Sequence, residues 1–150
     1  MNADSMSLAD ALKQRRSVRG FLDKPVPQDV LESVFSLAQH APSNCNIQPW
    51  QVWVARGQVR DALRERMVDK VSRGVPFAPD YESLPRFDGV YRQRQVDCAM
   101  ELYGSMGIAR EDREGRQRAE LRNFQLFDAP HVVFIGMEKQ FGVPVALDGG

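Results

Sequence analysis

Arg15-Arg16-Ser17-Val18-Arg19-Gly20-Phe21 brings three guanidiniums and a hydroxyl to the end of a predicted helix. Arginine offers a fixed fork of charged donors and serine adds a neutral one, a combination suited to a phosphate. In an extended stretch the side chains at 15, 17 and 19 share one face, so Arg15, Ser17 and Arg19 point together and Arg16 points away. Further along, Ala41-Pro42-Ser43-Asn44-Cys45-Asn46-Ile47-Gln48-Pro49-Trp50 is a turn-rich loop of small amides and hydroxyls running into an aromatic strand. Ser43, Asn44, Asn46, Gln48 and Gln51 cluster around Trp50, where short donors and peptide groups can lie against a flat polar ring. Each segment alone has a plainer reading. The first also serves as a basic helix terminus that complements the macrodipole, and the second as a connecting turn. Together, a phosphate clamp and a ring cradle describe a bound nucleotide or flavin.

The 150-residue length is that of a single domain able to bury a sizeable core. Hydrophobic residues make up 43% and charged residues 27%, values that argue against disorder. The formal net charge of +0 lacks the basic excess of a nucleic-acid binder. Cys45 and Cys98 stand far apart without paired spacing, and His40 and His131 complete no zinc pattern. Reduced thiols, no apolar run of membrane length and no signal pattern over Met1–Leu8 point to a cytoplasmic protein. At the other end, residues 143–150 read as a loop entering a new helix and then stopping, as in a chain whose C-terminal part is missing.

Outward from the two segments, the periodicity predicts a helix over Ser7–Gln14 capped by Ser7. A second helix, opened by Pro27 and ended by Pro42, carries an apolar stripe through Val30, Leu31, Val34, Phe35, Leu37 and Ala38. Trp50–Ala55 reads as a strand and Gln58–Ser72 as an amphipathic helix. Gly74–Arg86, with three prolines, reads as a loop. Val90–Ile108 is predicted as a helix with Val96, Ala99, Met100, Tyr103 and Met106 facing inward. Arg110–Arg122 is a dense charge run, read as a solvated helix face that gains an inner side at Leu121 and Phe124. His131–Gly136 is nearly all apolar, the pattern of a strand buried on both faces. The sum is an α+β, helix-rich domain with at least two strands.

No glycine-rich dinucleotide turn, P-loop, HExxH or nucleophile elbow occurs. Cys45 reads as a small packing residue, His131 as a structural histidine and His40 as a partner of its helix dipole. Trp50 and Trp53 read as core and interface material, and Phe77, Tyr81, Phe87 and Tyr91 as lining for a substrate entrance.

The two quoted segments, in this order, resemble the start of the FMN-dependent nitroreductase family. Asn123-Phe124 and Phe127-Asp128-Ala129-Pro130-His131-Val132-Val133-Phe134 resemble that family's strand entrance. The resemblance implies a single domain over 1–150, a nitroreductase-like helix-rich sandwich around a small mixed or antiparallel sheet, with the family's C-terminal part absent. It implies that Arg15, Arg16 and Ser17 hold the phosphate and ribityl end of FMN while Arg19 approaches the pyrimidine edge. Pro42, Ser43, Asn44 and Asn46 then come from the partner subunit and cover the isoalloxazine at a homodimer interface, and Asn123 adds a flavin contact. No catalytic side chain and no metal is required, because FMN performs the hydride chemistry itself. The implied activity is an FMN-dependent NAD(P)H oxidoreductase reducing nitroaromatic or quinone-like acceptors by ping-pong hydride transfer. A flavin-degrading, dehalogenating or azoline-oxidising enzyme of the same fold, or a non-catalytic flavin- or nucleotide-binding module, shares the same motifs.

Overall fold

Short-range chemistry sets most element boundaries in the computed structural model, which describes residues 6–81 and 86–149. Met1–Ser5 of the N-terminal stretch, residues 82–85 of the proline-containing loop and Gly150 lie outside the described residues. Helix α1 (Leu8–Gln14) starts where Ser7, in extended backbone, accepts the Asp10 N–H on its hydroxyl at 3.1 Å. Helix α2 (Gln28–Ala38) follows Pro27. It ends before Pro42, earlier than the sequence predicts. His40 N–H bonds Leu37 O and Ala41 N–H bonds Ala38 O, so the chain tightens into i→i−3 turns as proline approaches.

Strands β1 (Gln51–Arg56) and β2 (His131–Gly136) pair antiparallel, with Trp53 opposite Phe134, Val54 opposite Val133 and Ala55 opposite Val132. These aromatic and β-branched cross-strand pairs stabilise the ribbon. Gly57, at φ +53°, lets β1 turn directly into helix α3 (Gly57–Ser72). That helix is the hub: it packs on β1, on β2 and on helix α5 (Arg113–Phe124).

Helix α4 (Gly89–Ser105) stops before the predicted Ile108. Gly107, at φ +67°, closes it as Ile108 N–H bonds Tyr103 O and Gly107 N–H bonds Gly104 O, the two bonds of a Schellman ending. A short helix α6 (Gly142–Ala146) follows β2, starting earlier than the sequence reading of a loop entering a new helix over residues 143–150. The connector Pro25–Pro27 is fixed to β2 by one bond, Val26 N–H to His131 Nε2 at 2.8 Å. His131 is thus a structural histidine on that nitrogen, while its Nδ1 has no partner among the described residues.

Helix α5 depends on Asp112, whose carboxylate accepts the Gly115 N–H at 2.7 Å. A methyl group at position 115 would overlap that carboxylate. Gly115→Ala is therefore expected to displace the cap and destabilise the chain by about 0.5–2 kcal/mol, read from the midpoint of urea unfolding.

Burial departs most from the sequence reading. Val133, Phe134 and Ile135 of β2 are 39%, 39% and 56% exposed, so the strand is not covered on both faces. Met100 of α4 and Met106, which caps its end, are exposed as well. Among the described residues only Ala55 and Val145 are buried hydrophobics. The physical reason is the two-stranded sheet: α3 packs on it more extensively than any other described element, and that leaves much of both strands open. The accessible surface of 12854 Å² exceeds by roughly 5,000 Å² the value for a compact monomer of this mass.

Candidate functional site

After Gln14 the backbone leaves the helix, and Arg15 adopts φ −52°, ψ 131°. Residues 15–22 then form neither helix nor strand and run as a strap over the molecule. Ser17 and Arg19 both line a cavity of about 690 Å³, together with Tyr103 of α4, Met106 at its end, and Arg122 and Asn123 of α5. Arg15 is not part of that lining. Arg16 turns its Nη1 back onto the carbonyls of Lys13 and Arg15 at 2.9 and 3.0 Å. Among the described residues Arg15, Arg16 and Arg19 form no salt bridge, so their charges are open to an anion.

The turn after α5 shapes one side of this cavity. Leu126, Phe127 and Asp128 take φ of 59°, 51° and 63°, three successive side-chain-bearing residues in the left-handed region. Three backbone bonds hold that turn: Phe21 N–H donates to Phe127 O at 3.2 Å, Ala129 N–H to Leu126 O at 3.0 Å and Asp128 N–H to Gln125 O at 3.4 Å. Asn123 donates its Nδ2 to Glu120 O at 2.9 Å, and its carbonyl oxygen has no donor among the described residues.

The second segment forms its own compact bend. Cys45, Asn46 and Gln48 take φ of 51°, 54° and 47°, Ser43 Oγ accepts the Gln48 N–H at 2.9 Å, and Asn44 N–H donates to Asp148 Oδ2 at 2.9 Å. Trp50 Nε1 donates to the Asp148 carbonyl at 2.6 Å, so one residue near the C-terminus ties down both ends of the bend. Pro42, Asn44 and Asn46 are exposed and Ser43 is half-buried. Among the described residues, no hydrogen bond joins this bend to the strap within one chain. The structure therefore brings Ser17, Arg19 and Asn123 together and leaves Arg15, Arg16 and Pro42–Asn46 outside that hollow.

The aromatic residues expected at an entrance are dispersed. Phe77 stacks on Phe124 at 5.9 Å, tying the proline-containing loop to α5. Tyr81 lines a separate cavity of about 320 Å³ with Trp50 and the Asp80–Lys139 ion pair. Tyr91 lies under the Arg94 guanidinium at 6.0 Å. Sequence reasoning missed Arg122, Tyr103 and Asp148. Arg122 was hidden in a charge run, and what distinguishes it is its contact with the Arg19 carbonyl and the Asp128 carboxylate. Cys45 and Cys98 are free and exposed, so Cys45 is not a packing residue. Among the described residues no helix is long and apolar enough to cross a membrane, and no group of His, Cys, Asp or Glu is arranged to hold a metal.

A strap carrying guanidiniums beside a cavity of about 690 Å³, on a helix-rich frame with a small antiparallel sheet, makes this an α+β protein of the nitroreductase-fold class. The chain belongs to the nitroreductase family, whose model matches residues 12–145. It is 36% identical over 144 residues to nitroreductase NfnB of Mycolicibacterium smegmatis, covering 93% of this chain and 59% of that protein. It is 34% identical over 134 residues to a chloronitrobenzene nitroreductase of Comamonas testosteroni, covering 87% of this chain and 59% of that protein. Among solved structures, the FMN- and NADPH-dependent nitroreductase NfnB from Sphigopyxis sp. strain HMH superposes with a TM-score of 0.89 at 36% identity. That match covers 95% of this chain and 65% of that one. The chain thus spans about 59% of the length of the curated relatives it matches.

Proposed function

We propose that this chain is an FMN-dependent NAD(P)H oxidoreductase that reduces nitroaromatic or quinone-like acceptors, acting as a homodimer with FMN at the interface. The observation that carries the reading is the convergence of Ser17 and Arg19 of the strap with Asn123 of α5 on one cavity. Its volume of about 690 Å³ falls within the roughly 300–1,000 Å³ of small-molecule and cofactor sites. The donor set fits the group: the Ser17 hydroxyl, the Arg19 and Arg122 guanidiniums and the Asn123 amide would meet its polar edges against one lining carboxylate, Glu120, and Leu102, Met106 and Phe127 would meet the apolar body. When bound, FMN supplies hydride transfer between the nicotinamide and the acceptor.

The chain's own residues bind, orient and shield. Arg19 presents a fixed cation to the electron-rich pyrimidine edge, and a positive charge there favours the anionic form produced on reduction. The side-chain Oδ1 of Asn123 would accept a ring N–H. Ser17, Arg15 and Arg16 serve the ribityl and phosphate end, with Arg16 giving up its local carbonyls to do so. Pro42, Ser43, Asn44 and Asn46 of a second copy roof the ring and exclude water, which their exposed position within one chain supports. The uncovered apolar faces of β1, β2 and α4 supply the area for that association. Two free thiols suit a cytoplasmic setting.

Spectra and steady-state kinetics test the reading. The purified protein is expected to carry or take up FMN and to oxidise NAD(P)H with nitrobenzene derivatives in a ping-pong pattern. A protein that binds no FMN, or binds it without oxidising NAD(P)H, contradicts it.

A further inference from the structure

The strap that carries Ser17 and Arg19 has few attachments. Among the described residues, two hydrogen bonds tie residues 15–22 to the chain beyond α1: Phe21 N–H to Phe127 O at 3.2 Å, and Arg122 Nη2 to Arg19 O at 3.3 Å. The same Nη2 pairs with Asp128 Oδ2 at 3.1 Å. Asp128 closes the left-handed turn Leu126–Asp128, whose preceding residue Phe127 accepts the other strap bond. One guanidinium therefore joins the main chain of Arg19, helix α5 and the strained turn. A planar guanidinium fixes direction as well as distance, which a point charge does not.

We propose that Arg122 is a positioning residue: it fixes the Arg19 main chain so that the Arg19 side chain faces the cavity. This rests on the reading that Arg19 contacts FMN. The ion pair itself adds little to stability, because Arg122 and Asp128 are 35% and 56% exposed, and exposed pairs contribute about 0–1 kcal/mol. Its consequence lies in where Arg19 points. Nothing in the charge run Arg110–Arg122 singles out position 122; the three-way contact does.

The test is a double-mutant cycle on the full chain, reading FMN dissociation constants by fluorescence and melting temperatures without FMN. Arg122→Ala is expected to weaken FMN binding about tenfold while Arg19 is present, and by less than about twofold in an Arg19→Ala background. The melting temperature of the FMN-free protein changes little. The midpoint potential of bound FMN is expected to fall in Arg122→Ala as it falls in Arg19→Ala, and Arg122→Lys restores part of both losses. Should Arg122→Ala fail to fold, Arg122→Met, which keeps the aliphatic stem but has no donor for the Arg19 carbonyl, carries the same cycle. Equal losses in both backgrounds, or an unchanged affinity in Arg122→Ala where Arg19→Ala weakens binding, overturn the proposal alone. An unchanged affinity in Arg19→Ala removes the parent reading and the proposal with it.

Discussion

Arg19→Ala is expected to weaken FMN binding by roughly 1.5–3 kcal/mol, or about 10- to 150-fold in dissociation constant, measured by quenching of FMN fluorescence. The magnitude follows from losing a charge-assisted contact in a cavity with few other cations. Arg19 and Arg122 are the charged donors among its lining residues, and Arg122 is engaged with Asp128 and the Arg19 carbonyl. Arg16→Ala is expected to cost less. Its guanidinium already bonds the carbonyls of Lys13 and Arg15, so part of any gain at a phosphate is offset by releasing them. An Arg16 variant weakened more than the Arg19 variant would reverse the assignment of the two ends of the strap.

Diluted below its association range, the chain is expected to lose cooperative unfolding and to bind hydrophobic dyes. Two buried hydrophobic residues among the described ones do not make a core, and the excess of roughly 5,000 Å² per chain is more than enough to supply one partner's share of an obligate homodimer interface. The apolar run of β2 has the same meaning: Val133, Phe134 and Ile135 are chosen for a covered strand, and here stand partly in water. Folding coupled to dimerisation makes the melting temperature depend on concentration. A tenfold increase adds about 1.4 kcal/mol per dimer, which raises the melting temperature on the order of 2 °C when two 150-residue chains unfold together. Calorimetry over a concentration series reads this directly. A sharp, concentration-independent transition would mean that a single chain is self-sufficient.

The local elements were legible in the sequence because local chemistry decides them. Ser7 announces the start of α1, and the alternation before Arg56 announces β1. Helix ends were less legible. Gly107 closes α4 only because its left-handed backbone completes two hydrogen bonds, and a glycine in sequence does not declare that conformation. Burial was misjudged at Met100, Met106 and β2 because an apolar pattern states that a face is to be covered without stating by what. Within the candidate site, the two-residue period put Arg15, Ser17 and Arg19 on one face, and of these Ser17 and Arg19 line the cavity while Arg15 does not. Arg122 did not, since its role depends on a carbonyl 103 positions earlier in the chain. Asp148 was equally hidden: its bonds to Asn44 and Trp50 join segments that no periodicity connects.

The central claim is that the strap of one chain and the Pro42–Asn46 bend of another enclose the same FMN. The direct measurement is the flavin stoichiometry of a heterodimer purified through two different tags. One chain carries Arg19→Ala and the other carries Asn44→Ala with Asn46→Ala. If strap and bend come from different chains, one site collects both lesions and the other is intact, so the heterodimer binds one FMN with native affinity while each altered homodimer binds weakly. A heterodimer as weak as both homodimers would mean that strap and bend act within one chain, contradicting the account.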